Sequence, residues 1–177
     1  DKVVLTSFAD ITKNKKMERD LVILSETDAL TGISNRGSGE RKIEYLLSTG
    51  KSGMLCILDA DKFKSINDNY GHVVGDRVII KIAESLKKTF RDRDIIMRLG
   101  GDEFVLFVYG AASKEELLEA FEDAMYRMNE TFVEYEGEKI RLSYTVGAAF
   151  YPEHGTDFRA LMRMADKNMS QNKGKGI

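Results

Sequence analysis

The chain has 177 residues, 42% of them hydrophobic and 32% charged, which suits one ordinary domain with a real core and a short appendage. Its net charge is −2, so no overall basic field points to a nucleic-acid partner. The lone cysteine, Cys56, excludes an internal disulfide and a cysteine-rich zinc site, and its apolar neighbours predict a buried structural thiol. No apolar run approaches the ~20 residues of a membrane helix and no signal peptide is visible, so we expect no direct membrane contact in this segment.

Residues 1–27 are predicted to form a segment distinct from the domain that follows. The first nine residues look like the end of a strand, and Asp10 can cap a helix that runs to about Glu26. An apolar stripe at spacings of four and three, typical of a two-helix seam, is formed by Met17, Leu21 and Leu24. The alternative is an ordinary N-terminal helix that packs on its own domain.

From residue 28 onwards the pattern alternates between helices and strands. We predict strands over 54–58, 95–99, 104–108 and 140–150, and helices over 40–47, 75–90, 113–132 and 157–171. The continuous apolar run 54–58 is typical of a strand that is buried on both faces. A Gly-Gly step between the second and third strands predicts a β-hairpin.

Acidic pairs stand at the ends of two of these apolar strands. Asp59 and Asp61 follow the first strand, and Asp102-Glu103 occupies the tip of the hairpin. If the sheet brings these ends to one edge, the carboxylates would repel one another unless a cation bridged them. Mg²⁺ suits such oxygen ligands and completes its shell with substrate phosphate. By itself, each pair is more typical of a solvated surface or a turn.

The hairpin carries a recognisable motif, Gly100-Gly101-Asp102-Glu103-Phe104, preceded by Arg98-Leu99. Its companions, in chain order, are Asp28-Ala29-Leu30-Thr31-Gly32, Asn35-Arg36, the segment 59–68, Gly71-His72, Gly75-Asp76, Tyr151-Pro152, Ala165-Asp166 and Lys173. With these motifs the chain resembles the GGDEF family of diguanylate cyclases over about residues 28–176, and we take 28–177 as the catalytic domain. No G-x-x-x-x-G-K-[ST] motif is present, which disfavours a P-loop NTPase.

The resemblance implies an α/β (α+β) fold of the nucleotidyl-cyclase palm type, with a central, mostly antiparallel five-stranded sheet surrounded by helices. It implies condensation of two GTP into cyclic di-GMP (c-di-GMP) and two pyrophosphates by a homodimer in which each subunit holds one GTP. Residues 1–27 resemble the tail of an upstream PAS-like sensor domain, closing at Asp10-Ile11-Thr12, and a signalling helix. We expect a bacterial cytoplasmic location, either alone or as the cytoplasmic part of a larger, membrane-attached sensor.

The resemblance also implies roles for individual residues. The metal ligands would be Asp59, the Ala60 main-chain carbonyl, Asp102 and Glu103, holding Mg²⁺ or Mn²⁺ as two ions for each GTP. Glu103 would also serve the 3′-hydroxyl as a base, and Lys64 would assist catalysis. The phosphates would lie against the backbone of Lys62 and Phe63, the side chains of Lys64 and Lys173, and the glycines Gly100 and Gly101.

Guanine recognition falls on Asn67, Asp76 and His72. A carboxylate can accept from both N1–H and the exocyclic amine of guanine, whereas adenine would leave it desolvated and unpaired. Local alternatives are that Asp76 is a helix N-cap and that His72 only stabilises a turn.

An R-x-x-D motif, formed by Arg91 and Asp94, lies just upstream of the signature. In the family this register marks an inhibitory site for the product c-di-GMP, where arginine can stack on guanine and grip phosphate. An alternative reading is therefore a catalytically weak GGDEF domain that serves as a c-di-GMP receptor. A third reading is a purely structural dimerisation module.

Two departures from the family pattern lead to further expectations. Residues 37–39, Gly-Ser-Gly, replace bulkier helix formers, so we expect the helix there to start late. Asn168, Ser170 and Asn172 replace residues that are usually alanine or aromatic, so we expect weaker C-terminal packing and less certain placement of Lys173.

Overall fold

Six helices and six strands make up residues 2–172, the part of the chain that the computed structural model describes; within the first helix it describes the side chains only of 11–18, 21, 22 and 24–26. The helices are α1 Lys2–Glu26, α2 Arg36–Ser48, α3 Phe63–Tyr70, α4 His72–Thr89, α5 Lys114–Met128 and α6 Phe158–Asn172. The strands are β1 Gly53–Ala60, β2 Ile95–Gly100, β3 Glu103–Tyr109, β4 Phe132–Tyr135, β5 Glu138–Arg141 and β6 Tyr144–Tyr151.

The central sheet is antiparallel, as predicted, and its described strands follow the order β2-β3-β1-β6. It has four strands rather than the expected five, because β4 and β5 pair only with each other as a separate hairpin. The single strand predicted over 140–150 is also wrong, since it breaks at Leu142 and Ser143. There the Leu142 N–H bonds to the carbonyl of Thr131 at 3.1 Å, and the Ser143 carbonyl accepts from the Asp61 N–H at 2.9 Å.

Both faces of the sheet are covered by helices. Alternate β1 residues, Met54, Cys56 and Leu58, enter one core cluster with buried residues of α4 and α5. Leu55 and Ile57 point the other way, into a cluster with α2 and α6. This period-two division confirms that the apolar run of β1 is buried on both faces. Burial raises the pKa of the Cys56 thiol, as predicted for a structural cysteine.

Helix α1 differs from its prediction in extent. It runs from Lys2 through Asp10 without a break, so the strand end expected in the first nine residues is wrong. A short apolar run is compatible with either structure, and here helix prevails. The apolar stripe is exposed, at 55% for Met17, 65% for Leu21 and 75% for Leu24, so these side chains do not pack on their own domain. None of the described helices is both long and apolar enough to cross a membrane.

Other helix boundaries depend on local contacts. Helix α2 starts at Arg36, not late as expected, because the Asn35 side chain accepts the Ser38 N–H at 3.0 Å and Gly39 is buried against Met97. Helix α5 begins after the predicted cap Ser113 but ends at Met128, because the chain then turns into β4.

Two of the departing residues in α6 strengthen the C-terminal packing instead of weakening it. The Asn168 amide donates to the Ala148 carbonyl at 2.8 Å, and the Asn172 amide donates to the Val146 carbonyl at 3.0 Å. The pairing works because four residues of helix rise about 6 Å, close to the span of two strand residues. This asparagine ladder, Asn168 and Asn172, satisfies carbonyls on the outer edge of β6 and holds α6 along it.

Replacement of Asn168 by aspartate should destabilise the domain. The carboxylate keeps the size of the amide but cannot donate, so its oxygen would oppose the Ala148 carbonyl at a cost of about 1–3 kcal/mol. Urea unfolding followed by circular dichroism measures this free energy of unfolding. The matched control is Ser170→Ala on the exposed face of α6, which should leave the midpoint unchanged. Equal midpoints for Asn168→Asp and wild type would show that the ladder contributes no stability.

Candidate active site

The end of β1 and the tip of the β2–β3 hairpin meet at one edge of the sheet. Asp59 lies opposite Glu103 in the β1–β3 register. One residue further on, the Ala60 N–H donates to the Asp102 carbonyl at 3.3 Å. The β-sheet pairing itself therefore brings the acids Asp59, Asp102 and Glu103 together with the Ala60 backbone, as expected from their positions at strand ends.

Arg98 determines the shape of the hairpin tip. Its guanidinium donates twice to the Gly101 carbonyl, at 3.0 Å from Nε and 2.7 Å from Nη2. Its Nη1 reaches both carboxylate oxygens of Asp28, at 3.1 and 3.2 Å. Gly101 adopts φ +53°, a conformation that glycine takes without strain, and open space lies where its Cβ would stand. The staple Asp28–Arg98–Gly101 thus fixes the turn that presents Asp102 and Glu103.

The charge of Asp28 is stabilised by this arrangement. Partial burial alone would raise the pKa of Asp28, but hydrogen bonds from Thr31 and Arg98 and the Arg98 charge outweigh it. The pKa of Asp28 therefore lies below its ordinary value of 3.8. Both side chains of the pair are mostly buried, so solvent screens the interaction less than at a surface.

Asp61 takes a different role from its neighbour Asp59. Its carboxylate accepts from the Thr145 hydroxyl at 2.6 Å, and its own N–H donates to the Ser143 carbonyl. Asp61 therefore ties the end of β1 to the start of β6. The acidic pair read from the sequence divides into Asp59 beside Glu103 and Asp61 beside Thr145.

The predicted phosphate and base contacts follow directly after β1. Lys62 adopts φ 57° and turns the chain into α3, and the side chains of Lys62 and Lys64 are exposed while Phe63 is half-buried. Asn67, on α3, lies against Gly75 of α4, where a Cβ would come within 1.9 Å of the Asn67 Oδ1. The structure thus places Asn67 next to the residue that precedes Asp76.

Asp76 and His72 are both exposed on α4. Because α4 begins at His72 after Gly71, Asp76 lies beyond its first turn and the N-cap alternative is wrong. The Asn67 Oδ1 is buried and has no hydrogen-bond partner among the described residues. Such an acceptor is costly unless a ligand or water donates to it.

Lys173 lies outside the described residues, so the prediction that it contacts the triphosphate stays a prediction. The described residues contain no group of three or more His, Cys, Asp or Glu side chains arranged to hold a metal ion. Two carboxylates and a main-chain carbonyl are nonetheless enough protein ligands for Mg²⁺, because this ion commonly takes its other ligands from water and phosphate.

The R-x-x-D motif borders a concave region whose lining includes none of the acids at the sheet edge. A cavity of about 500 Å³ is lined by Ile33, Ser34, Lys42, Lys87, Arg91, Asp92, Asp94, Ile95 and Ile96. Arg91 is exposed, whereas Asp94 is only 7% exposed and accepts the Arg91 N–H at 3.0 Å. Burial raises the pKa of Asp94 above its ordinary value although backbone donors oppose the shift.

Sequence reasoning assigned no role to Arg98, Asp28, Gly75 or Thr145, which position the site. Arg98 and Asp28 belong to the quoted motifs, but they are 70 positions apart and no local pattern shows that they meet. Thr145 bonds to Asp61 across 84 positions in the same way. The fold brings these residues into contact, so their roles are visible only in three dimensions.

Comparison with known proteins gives a consistent match. Residues 25–177 match the family described as "Diguanylate cyclase, GGDEF domain". Diguanylate cyclase DgcN of Escherichia coli is 36% identical over 149 residues, which cover 82% of this chain and 36% of that protein. Diguanylate cyclase TpbB of Pseudomonas aeruginosa is 33% identical over 146 residues, covering 80% of this chain and 34% of TpbB. The chain thus spans about a third or less of the curated relatives it matches.

A solved structure agrees with this match. A solved structure of a TpbB variant from Pseudomonas aeruginosa that comprises only the GGDEF domain superposes with a TM-score of 0.78 at 32% identity, covering 85% of this chain and 90% of that one. It belongs to the nucleotidyl-cyclase palm architecture expected from the sequence.

The Asp28–Arg98 staple predicts a pH-dependent loss of stability in Asp28→Asn. At pH 7 the substitution should lower the free energy of unfolding by about 2 kcal/mol, since it removes a charged hydrogen-bond acceptor. A depressed pKa stabilises the fold above the unfolded value and loses that effect as pH falls through the folded value. The two unfolding curves should therefore converge below pH ~4. Thermal unfolding between pH 3 and 7 tests this, with exposed Asp123→Asn as control; a pH-independent gap would contradict it.

Proposed function

The chain belongs to the GGDEF family, and from this premise we propose that it is a diguanylate cyclase that joins two GTP into c-di-GMP and two pyrophosphates. The observation that carries the proposal is the convergence of Asp59, Asp102 and Glu103 at one sheet edge. The names of the relatives DgcN and TpbB support the same activity.

The acids would hold Mg²⁺ or Mn²⁺, as two ions for each GTP. Asp59 and Asp102 would contribute carboxylates and Ala60 its main-chain carbonyl, while Glu103 stands beside Asp59 as a further ligand or base. When bound, the metal would neutralise charge that develops at phosphorus. Glu103 would accept the proton of the attacking 3′-hydroxyl. The staple Asp28–Arg98–Gly101 would keep the distance between Glu103 and the phosphate constant.

The segment from Lys62 to Asn67 would orient the nucleotide. Lys62, with φ 57°, turns the chain into α3, whose first N–H groups, including that of Phe63, would bind the phosphates. Exposed Lys64, with Lys173, would meet the triphosphate as point charges.

Guanine specificity would come from Asn67 and Asp76. In the structure the Asn67 Oδ1 is buried against Gly75; Asn67 would turn its amide towards guanine, which supplies N–H groups on its edge and its exocyclic amine. Exposed Asp76 can accept from N1–H and that amine, and His72 lies one turn before it. Adenine would leave these acceptors unpaired, which sites of this kind use to discriminate by on the order of 10⁴.

One subunit would provide half of the catalytic site, so we infer that activity needs a homodimer. The exposed stripe of Met17, Leu21 and Leu24 offers a helix–helix seam through which an upstream sensor domain would set the arrangement. The product would inhibit through Arg91 and Asp94, whose cavity of about 500 Å³ has the size of a small-molecule site.

Incubation with GTP and Mg²⁺, followed by chromatography, should give c-di-GMP. Asp102→Ala should lower turnover by about 10³-fold or more, because the developing charge would lose its fixed partners. Exposed Asp123→Ala on α5 is the matched control and should keep full activity. Retained turnover in Asp102→Ala would refute the metal assignment. A wild-type dimer that makes no product but binds c-di-GMP tightly would instead indicate a receptor.

Arg91→Ala should relieve product inhibition without lowering the initial rate. The measurement is the initial rate against added c-di-GMP, where the inhibition constant should rise at least about tenfold after loss of a charged contact. Arg93→Ala is a close control, since Arg93 bonds to the Gly110 carbonyl and lies over the Tyr109 ring instead of lining the cavity. Unchanged inhibition in Arg91→Ala would place the product elsewhere.

A further inference from the structure

Helix α3 carries Asn67 of the proposed guanine site and contacts the domain only through half-buried side chains. None of its eight residues is buried; Phe63, Ile66, Asn67 and Tyr70 are half-buried, and the other four are exposed. Phe63 and Ile66 pack against the core cluster that includes α4 and α5, but with so little buried apolar contact α3 depends on further contacts to hold Asn67 in one position.

One constraint comes from α4. The Asn67 side chain fits against Gly75, and a Cβ built on Gly75 would also lie 3.4 Å from the Phe63 ring. This contact supports the face of α3 that carries Phe63 and Asn67, while the C-terminal end of α3 is joined to α4 through Gly71 alone.

The second constraint comes from the β4–β5 hairpin. The Tyr70 ring meets the Tyr135 ring edge to face, with centroids 6.1 Å apart and planes at 78°. The Tyr70 hydroxyl also donates to the Glu138 carboxylate at 3.3 Å. Tyr70 lies three residues after Asn67, so the two side chains are neighbours on the helix surface. Contact at Tyr70 therefore restrains the turn that carries Asn67.

The hairpin is well suited to act as a support because its own ends are anchored. Val133 of β4 is buried in the core cluster that includes α4 and α5. The Thr131 carbonyl accepts the Leu142 N–H at 3.1 Å, which closes the base of the hairpin, and the Thr131 hydroxyl reaches Ser85 of α4 at 3.3 Å. The β4–β5 hairpin is not part of the central sheet. Pairing within that sheet therefore does not explain why the tip of the hairpin contacts α3.

We infer that the β4–β5 hairpin is a brace for α3, and that Tyr70 and Tyr135 are positioning residues for guanine recognition through Asn67. The inference rests on the proposed function for its consequence. The Asn67 amide can form a good hydrogen bond to guanine only within a few tenths of an ångström of its best position, so a tilt of α3 costs base affinity. Contacts to the triphosphate, which come from the start of α3 and beyond it, should be affected less.

The test compares Tyr135→Ala with Tyr135→Phe, which keeps the ring and should restore wild-type behaviour. Equilibrium binding of an unreactive α,β-methylene GTP analogue with Mg²⁺ should weaken about tenfold in Tyr135→Ala and by less than about twofold in Tyr135→Phe. Binding of the corresponding ATP analogue should stay the same, so the guanine preference falls. Lys139→Ala is the matched hairpin control, because Lys139 lies over the Phe132 ring instead of α3.

Amide hydrogen exchange provides a readout that does not require any nucleotide. Exchange over residues 66–70 should be faster in Tyr135→Ala than in wild type and in Lys139→Ala. If Tyr135→Ala changes neither the exchange rate nor the affinity for the GTP analogue, the hairpin is not a brace for α3. An equal loss of affinity for the GTP and ATP analogues would also contradict the inference. If wild type binds no guanine analogue, the proposed function fails, and exchange alone then decides for or against the brace. If Tyr135→Ala unfolds, Glu138→Ala tests the same contact at the surface, and no increase in exchange would count against it.

Discussion

The contact between Asp28, Arg98 and the Gly101 carbonyl is the constraint on which the candidate active site depends. The Gly100-Gly101 turn has little conformational preference of its own. Without a further constraint, conformational entropy of the backbone would be lost each time Asp102 and Glu103 were aligned. Arg98 removes that freedom by binding the turn directly and by pairing with a carboxylate from the segment after α1. The same ion pair links the chain that leaves α1 to the signature hairpin, so a movement of α1 has a short physical route to the acids.

The rest of the site follows from an antiparallel sheet covered on both faces. Helices on both sides leave the strand ends as the accessible places for chemistry, and β1 and β3 end side by side with Asp59 and Glu103. The outer edge of β6 is also occupied: the asparagine ladder binds two of its carbonyls, and His154 binds the N–H and carbonyl of Phe150. Association of two copies through this edge is therefore disfavoured.

The proposed guanine site shows how a weakly packed element can still be positioned. Helix α3 lies between two supports, Gly75 of α4 and the aromatic contact of Tyr70 with the β4–β5 hairpin. Neither support comes from a residue that is proposed to contact the nucleotide. A half-buried helix between these two supports would limit the geometries in which Asn67 can bind a nucleotide.

The sequence by itself determined the family, the alternating elements and the identity of the acids, because short motifs in order and buried apolar runs are local signals. It also predicted the α5 cap and the buried thiol of Cys56 for the same reason. The tertiary structure alone decided that Asp61 turns to Thr145 while Asp59 stays beside Glu103, and that Arg98 meets Asp28. It decided that α2 starts early, that β5 and β6 are separate strands, and that Asn168 and Asn172 strengthen the packing of α6. These outcomes depend on backbone groups and side chains from distant parts of the chain, whose pairing no local pattern encodes.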